Sequence, residues 1–268
     1  MCIFSGPVDD VSDTSIYASE LADGRHCTVY EMKVAAQSEV AMILPIPAAS
    51  AGSFEFIDLE AFPTFFRELE RLYPQVQTLG RRSRGGDTKS AAPLPVVEVG
   101  QYVASFVPSQ KDFKRLDARF RLPLVLWKDL PDYSKFSFAV FQLKVNSDSK
   151  KFHPMAYKYR PLDRDRLFFP TAHVHDGHVP RVTHYDHHLY YQVQRGWVAA
   201  GEWQTCEHLP PSAKFRLAEE LGILQSEQAI DRRWIVGLEK NVDYYLQRHD
   251  QQLATTEVTP ARILLQAD

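Results

Sequence analysis

Runs of β-type residues follow one another through most of this sequence, with few helical patterns between them, and this order restricts the fold most. A chain that groups its strands in this way favours the α+β class over an alternating parallel arrangement. The sequence therefore predicts an α+β fold with a mostly antiparallel sheet and peripheral helices. The strand-like runs are 14–18, 27–32, 40–44, 96–106, 136–145, 154–159, 166–175 and 179–194, and the helical ones are 62–73, 109–116, 124–130, 213–221 and 241–248.

Two local signals support this assignment near the start of the chain. Asp23-Gly24 lies between two β-type runs, and an Asp-Gly pair there is typical of a hairpin turn because glycine accepts a positive φ. Pro45 follows an apolar run and lacks the N–H that a strand ladder needs. We therefore expect a hairpin at residues 23–24 and a strand that ends before Pro45.

Composition limits the class of protein. The 268 residues include 31 Lys plus Arg and 34 Asp plus Glu, so the formal net charge is 31 − 34 = −3. This balance lacks the basic character of nucleic-acid binders, and no apolar run is long enough to span a membrane. The first residues do not resemble a secretory signal, and the three cysteines are too widely spaced for a disulfide framework. We expect a cytoplasmic protein of one domain, residues 1–268, with a flexible Gly-, Ser- and Arg-rich insertion at about 80–95.

Histidines are concentrated in one segment, since six of the ten fall between residues 173 and 188. If Asp176-Gly177 forms a two-residue turn, His175 lies opposite His178, and His173 shares their face two residues back. Converging imidazoles are the ligands that Zn, Fe and Cu accept. The sequence therefore predicts a mononuclear site for a divalent metal ion on a 173–188 hairpin, with His173, His175, His178 and His187 as candidate ligands.

A second group follows within the same segment. Asp186 is flanked by histidines, and a carboxylate there can bind a metal, orient an imidazole or act as a catalytic base. Strand alternation places His184, Asp186 and His188 on one face and His187 on the other. Alternation thus favours His188 beside Asp186, and the choice between His187 and His188 stays open.

Cys2 is the other catalytic candidate. Removal of the initiator methionine would expose its thiol beside a free α-amino group, which is the arrangement of N-terminal nucleophile amidases. The alternative is a small residue buried at the start of an edge strand.

Several segments, SFVPSQKDFKRLDARFRLP, FAVFQLK, HPMAYKY, LFFPTAHVHDG and DHHLYYQ among them, resemble an uncharacterised family of bacterial proteins. The resemblance covers roughly residues 1–195 and carries no established activity. It implies a bacterial, cytoplasmic, single-domain protein, and it favours His187 over His188. The residues to which it draws attention are Cys2, His173, His175, Asp176, Asp186 and His187.

Three functions are consistent with these patterns. The first is a metal-dependent hydrolase or oxidoreductase acting on a small-molecule or peptide substrate, and the second is an amidase that uses Cys2. The third is a non-catalytic binding or scaffold protein whose histidine segment contacts a partner. Standard dinucleotide, P-loop and α/β-hydrolase motifs do not occur, and no nucleic-acid or membrane partner is expected. The oligomeric state is left open.

Overall fold

The computed structural model describes residues 3–48, 50–73, 97–143, 150–193, 202–248 and 253–257. They form three sheets, most of whose strand pairs are antiparallel, together with two short α-helices and several 3-10 helices. The predicted β-rich, mostly antiparallel class with few helices is confirmed. The predicted insertion at about 80–95 lies outside the described residues.

The first sheet has five strands in the order β1-β4-β8-β7-β6. Its strands are β1 (Ile3–Phe4), β4 (Val40–Ile46), β6 (Val97–Val99), β7 (Tyr102–Val107) and β8 (Ser137–Leu143).

The second sheet has eight strands in the order β13-β14-β12-β2-β3-β10-β5, and β9 also pairs with β3. Its strands are β2 (Asp10–Glu20), β3 (His26–Ala35), β5 (Glu55–Ile57), β9 (Lys150–Lys151), β10 (Met155–Tyr159), β12 (Val182–Gln192), β13 (Gln204–Cys206) and β14 (Ile230–Lys240).

The third sheet joins the second at the end of β14. Its order is β11-β15-β16, with β11 (Arg166–Phe169), β15 (Val242–Gln247) and β16 (Leu253–Glu257). Residues 241–248 were predicted to be helical, and that prediction is wrong. β15 pairs with β11 on one side and with β16 on the other. These strand pairs override the helical spacing of the local sequence.

Three apolar clusters lie between these layers. The largest fills the space between the first two sheets, where Phe141 of β8 and Tyr30 of β3 are both buried. A second cluster, on the other face of the first sheet, packs β8 against the 3-10 helices at Gln110–Arg115, Ala118–Phe120 and Leu124–Lys128. The third cluster covers part of the second sheet's outer face with α1 (Phe65–Glu70) and α2 (Ala213–Glu220). We call this side of the second sheet, which α1 and α2 cover in part, its outer face.

The local turn predictions meet different outcomes. The β2–β3 hairpin forms around Gly24, whose φ is +75°, so that prediction is confirmed. The strand predicted to stop before Pro45 instead continues to Ile46. Among the described residues, β1 pairs with β4 only at Met42 and Ile43, so Pro45 lies where one side of β4 carries no ladder and its missing N–H costs little.

Candidate functional site

The segment 173–188 does not form a hairpin, so the predicted geometry is wrong. β11 ends at Phe169, and β12, which begins at Val182, pairs with β14 and β2 rather than folding back on the preceding residues. Gly177 takes the expected positive φ of +79°, but the turn lies within a loop. The buried amide of Asn241 stabilises this loop, because it accepts from the His173 N–H at 2.7 Å and donates to the Pro180 carbonyl at 2.8 Å.

The structure nevertheless brings together three of the four predicted ligands. The rings of His173 and His175 stack with centroids 5.1 Å apart, and those of His173 and His187 stack at 5.3 Å. Tyr185 lies 4.6 Å from both His173 and His187. Val174 pairs with Ile3, so His173 and His175 extend to the same side of their segment. These side chains form the histidine cluster: His173, His175, His187 and Tyr185.

Burial determines the charge of this cluster. Loss of solvent contact lowers the pKa of His173 and His187 well below the usual range, and it lowers the pKa of His175 to about 4. The imidazoles are therefore neutral at pH 7. Nδ1 of His187 accepts the backbone N–H of Asp186 at 3.2 Å, which assigns the ring proton to Nε2. The Nε2 atoms of His173 and His175 are buried, and neither has a hydrogen-bond partner within the part of the chain that the structure describes.

This arrangement differs from a metal centre. A metal needs nitrogen lone pairs that converge on one point, whereas stacked rings turn their faces toward each other. Over the described ranges, no three His, Cys, Asp or Glu side chains are grouped so that they could hold a metal ion. His178 is exposed and contacts Asp176 rather than the cluster. The predicted mononuclear site on these histidines is therefore wrong.

The structure places His187 and His188 on opposite faces of β12. His187 points inward to the histidine cluster, while His188 lies on the outer face, 4.9 Å from the ring of Trp234. Asp186, a predicted catalytic carboxylate, shares the face of His188, and its Oδ2 accepts the Asp13 N–H at 2.7 Å. Burial raises the pKa of Asp186. Its observed partner is thus the backbone of β2, and its catalytic role stays a prediction.

The cysteines give no described catalytic centre. Cys2 lies outside the described residues, so its role as a nucleophile stays a prediction. Cys27 is buried in β3, and that burial raises the pKa of its thiol to about 12, which keeps the thiol protonated and unreactive at neutral pH. Cys206 is half-buried, and its thiol donates to the carbonyl of His208 at 3.4 Å.

An exposed apolar row on β14 was not identified from the sequence. Trp234, Val236 and Leu238 are 43%, 62% and 74% exposed, whereas Ile235 between them is only 7% exposed. We call Trp234, Val236 and Leu238 the β14 stripe. The alternation in RRWIVGLEK is the signal that could have placed this strand, but alternation alone does not say whether its outward residues are covered.

Along the β14 stripe, β14 is paired with a strand on one side but not on the other in the described structure. On β12, His188, Asp186 and His184 lie directly opposite Trp234, Val236 and Leu238, respectively. On the other side, β13 pairs with β14 only at 230–232 within the part of the chain that the structure describes. From 233 onward, β14 is therefore the edge of the described sheet, and its outward side chains are apolar.

Trp234 is held in place by its neighbours. The Arg232 guanidinium lies 5.0 Å from the Trp234 ring and 4.2 Å from the Tyr73 ring, and it donates to Gln204 at 2.5 Å. His188 contacts the same indole. The Trp234 ring thus contacts one side chain of its own strand and one of β12.

Comparison with known proteins gives limited further information. No protein-family model matches the chain. The crystal structure of baculovirus P35 is 12% identical, with 96% of this chain and 100% of that chain covered and a TM-score of 0.48. A mutated baculovirus P35 after caspase cleavage is 12% identical, with 92% and 94% covered and a TM-score of 0.41. The caspase-8/P35 complex gives 11% identity, 92% and 91% coverage and a TM-score of 0.42. These similarities assign no function to this chain.

The predicted description as a metal-binding protein is corrected, because the described residues contain no group of three or more His, Cys, Asp or Glu side chains that could hold a metal ion. No helix within those residues is long and apolar enough to cross a membrane.

Proposed function

We propose that this protein is a non-catalytic binding protein that contacts a partner protein through the β14 stripe and the adjacent strand edge. The observation that carries this proposal is the outward row of Trp234, Val236 and Leu238 on a strand whose far side is open in the described structure. Apolar side chains grouped on a surface mark sites of protein contact more often than isolated ones do.

The rest of the outer face of the second sheet supports the proposal, because α1 and α2 cover apolar side chains there. Elsewhere on the outer face, Tyr17 and Tyr190 are buried beneath α1 and α2. Covering apolar surface gains about 25 cal/mol per Å². The β14 stripe is uncovered in the described structure, so a partner that covers it gains this free energy.

Backbone chemistry adds to the apolar contact. An edge strand presents N–H and C=O groups that an extended segment of another chain can pair with. Trp234 supplies an aromatic anchor that Arg232 and His188 already orient, so its side chain has little rotational freedom left to lose on binding. The partner that suits this surface is therefore a protein segment in strand conformation with apolar residues on one face.

Leu238→Glu is expected to weaken partner binding at least about tenfold, because it places a charge in the apolar contact. The measurement begins with capture of proteins from the native cell lysate on the immobilised wild type and their identification. The captured protein is then purified and titrated calorimetrically against wild type and variant.

Leu124→Glu is the matched control, since Leu124 is 81% exposed but lies on a 3-10 helix against the first sheet. Its affinity for the same partner is expected to equal that of the wild type. Equal affinity of the Leu238→Glu variant and the wild type would remove the support for this function.

A further inference from the structure

We infer that the partner fitting the β14 edge is a second copy of this chain, paired antiparallel with β14 about a two-fold axis at Val236. This inference rests on the proposed function, because it uses the same surface and names its occupant. A two-fold axis perpendicular to the sheet keeps the outer faces of both copies on one side and generates a closed, self-complementary interface.

The outer face supports this register. Antiparallel pairing about Val236 places residues equidistant from it opposite each other. Trp234 of one copy then faces Leu238 of the other, and Val236 faces its own equivalent. All three exposed members of the β14 stripe thus pair with apolar residues, and cross-strand pairs of this kind stabilise a sheet.

The inner face supplies charge complementarity in the same register. Arg233 of one copy lies opposite Glu239 of the other, and the two-fold axis forms this pair twice. Arg233 contacts Glu202 through Nη2 at 3.1 Å, while its buried Nε has no hydrogen-bond partner among the described residues. An opposing Glu239, which is exposed in the single chain, offers an acceptor to this arginine.

Other registers lose this match. Pairing about Gly237 places Glu239 opposite Ile235 and Trp234 opposite Lys240. Pairing about Ile235 places Arg233 opposite Gly237. Only the axis at Val236 combines apolar pairs on the outer face with opposite charges on the inner face.

The ends of the strand define the length of the contact. In the Val236 register Arg232 would face Lys240, which is a like-charge pair. Arg232, however, already pairs with Gln204 of β13. The intermolecular ladder therefore covers residues 233–239 and ends before Arg232, where β13 already pairs with β14.

Charge-reversal variants test whether a second copy of the chain binds and whether it pairs in the Val236 register. Sedimentation velocity of the full chain is expected to show a dimer. Arg233→Glu and Glu239→Arg are each expected to weaken self-association at least about tenfold, because each places like charges opposite each other. An equimolar mixture of the two variants restores opposite charges at both positions, so it is expected to form a heterodimer within a few-fold of wild-type affinity.

The controls separate folding from association. Circular dichroism and thermal melting of each variant report whether the chain is folded, and Val236→Lys provides a second disruption at the axis. Arg115→Glu changes an exposed arginine that pairs with Asp112 on a 3-10 helix packed against the first sheet, and it is expected to leave the dimer unchanged.

The outcomes distinguish this inference from the proposed function. A monomeric wild type, or folded single variants that do not recover association on mixing, overturns the self-pairing. If Leu238→Glu still weakens binding of a different purified protein in that case, the proposed function stands without the self-pairing. If Leu238→Glu affects neither association nor such binding, both fail.

Discussion

Asp243→Ala is expected to lower the free energy of unfolding by about 3–5 kcal/mol, because it leaves several buried hydrogen-bonding groups without partners. Asp243 is 1% exposed. Its Oδ1 accepts the backbone N–H groups of Thr171 and Ala172 at 2.8 and 2.9 Å, and its Oδ2 accepts the Tyr133 hydroxyl. These bonds hold the segment directly before His173. We therefore expect the substitution to disturb the packing of the histidine cluster as well.

Urea denaturation measures this loss, with Asp132→Ala as the matched control. Asp132 is an exposed aspartate that also accepts a backbone N–H, from Ser134 at 2.9 Å, but in contact with water. Its removal is expected to cost about 1 kcal/mol or less. Tyr133→Phe removes one donor and keeps both backbone bonds of Asp243, so an intermediate loss is expected. Similar midpoints for Asp243→Ala and Asp132→Ala would contradict the structural role assigned to Asp243.

Acidification is expected to destabilise the protein as the pH falls from about 6.5 toward 4. Burial lowers the pKa of five histidines in the folded state, to about 4 for His26, His175 and His188 and well below the usual range for His173 and His187. Above pH 6.5 these groups are neutral in both states. Below it the unfolded chain binds protons that the folded chain does not, so the free energy of unfolding decreases.

The expected size of this effect is large. A histidine such as His26, whose pKa falls from its ordinary value of about 6.5 to about 4, contributes a loss of about 2 kcal/mol at pH 5. The half-buried carboxyl group of Asp186 and the buried ones of Asp231 and Asp243 act in the opposite direction, because loss of solvent contact raises their pKa. A comparison of variants at each pH separates the two contributions.

His187→Phe provides that comparison, since it keeps a ring in the cluster but removes the titrating group. Urea denaturation between pH 7.5 and 5 is expected to show a shallower pH dependence, reduced by about 1.4 kcal/mol per pH unit below pH 6. His178→Gln, at an exposed loop position, is the control and is expected to follow the wild type. A wild-type free energy of unfolding that stays constant from pH 6.5 to 5, or a variant slope equal to the control's, would argue against the neutral buried cluster.

Local patterns predicted those elements whose partners are close in the sequence. Asp23-Gly24 identifies the β2–β3 hairpin because the turn alone determines its pairing. The apolar spacing near residue 65 predicts α1, and that at 213–221 predicts α2. Residues 241–248 show the limit of this reasoning, since β15 depends on β11 and β16, and local spacing carries no information about those neighbours.

The site was predictable in part for the same reason. Period-two alternation correctly places His173 and His175 on one side and separates His187 from His188. The turn at Gly177 adopts the expected conformation, but β12 pairs with β14 and β2, so the ring nitrogens do not converge as a hairpin would require. The β14 stripe depends on which layer covers each end of the sheet, which only the packing of α1 and α2 reveals.

Hydrogen exchange at β14 tests the central claim most directly, because edge pairing protects backbone amides that face away from β12. The measurement follows the peptide covering 233–239 at protein concentrations above and below the dissociation constant from sedimentation, for the wild type and for Val236→Lys. We expect slower exchange at high concentration in the wild type only, with peptides from β16 unchanged. Equal exchange at both concentrations would show that β14 does not pair with a second copy.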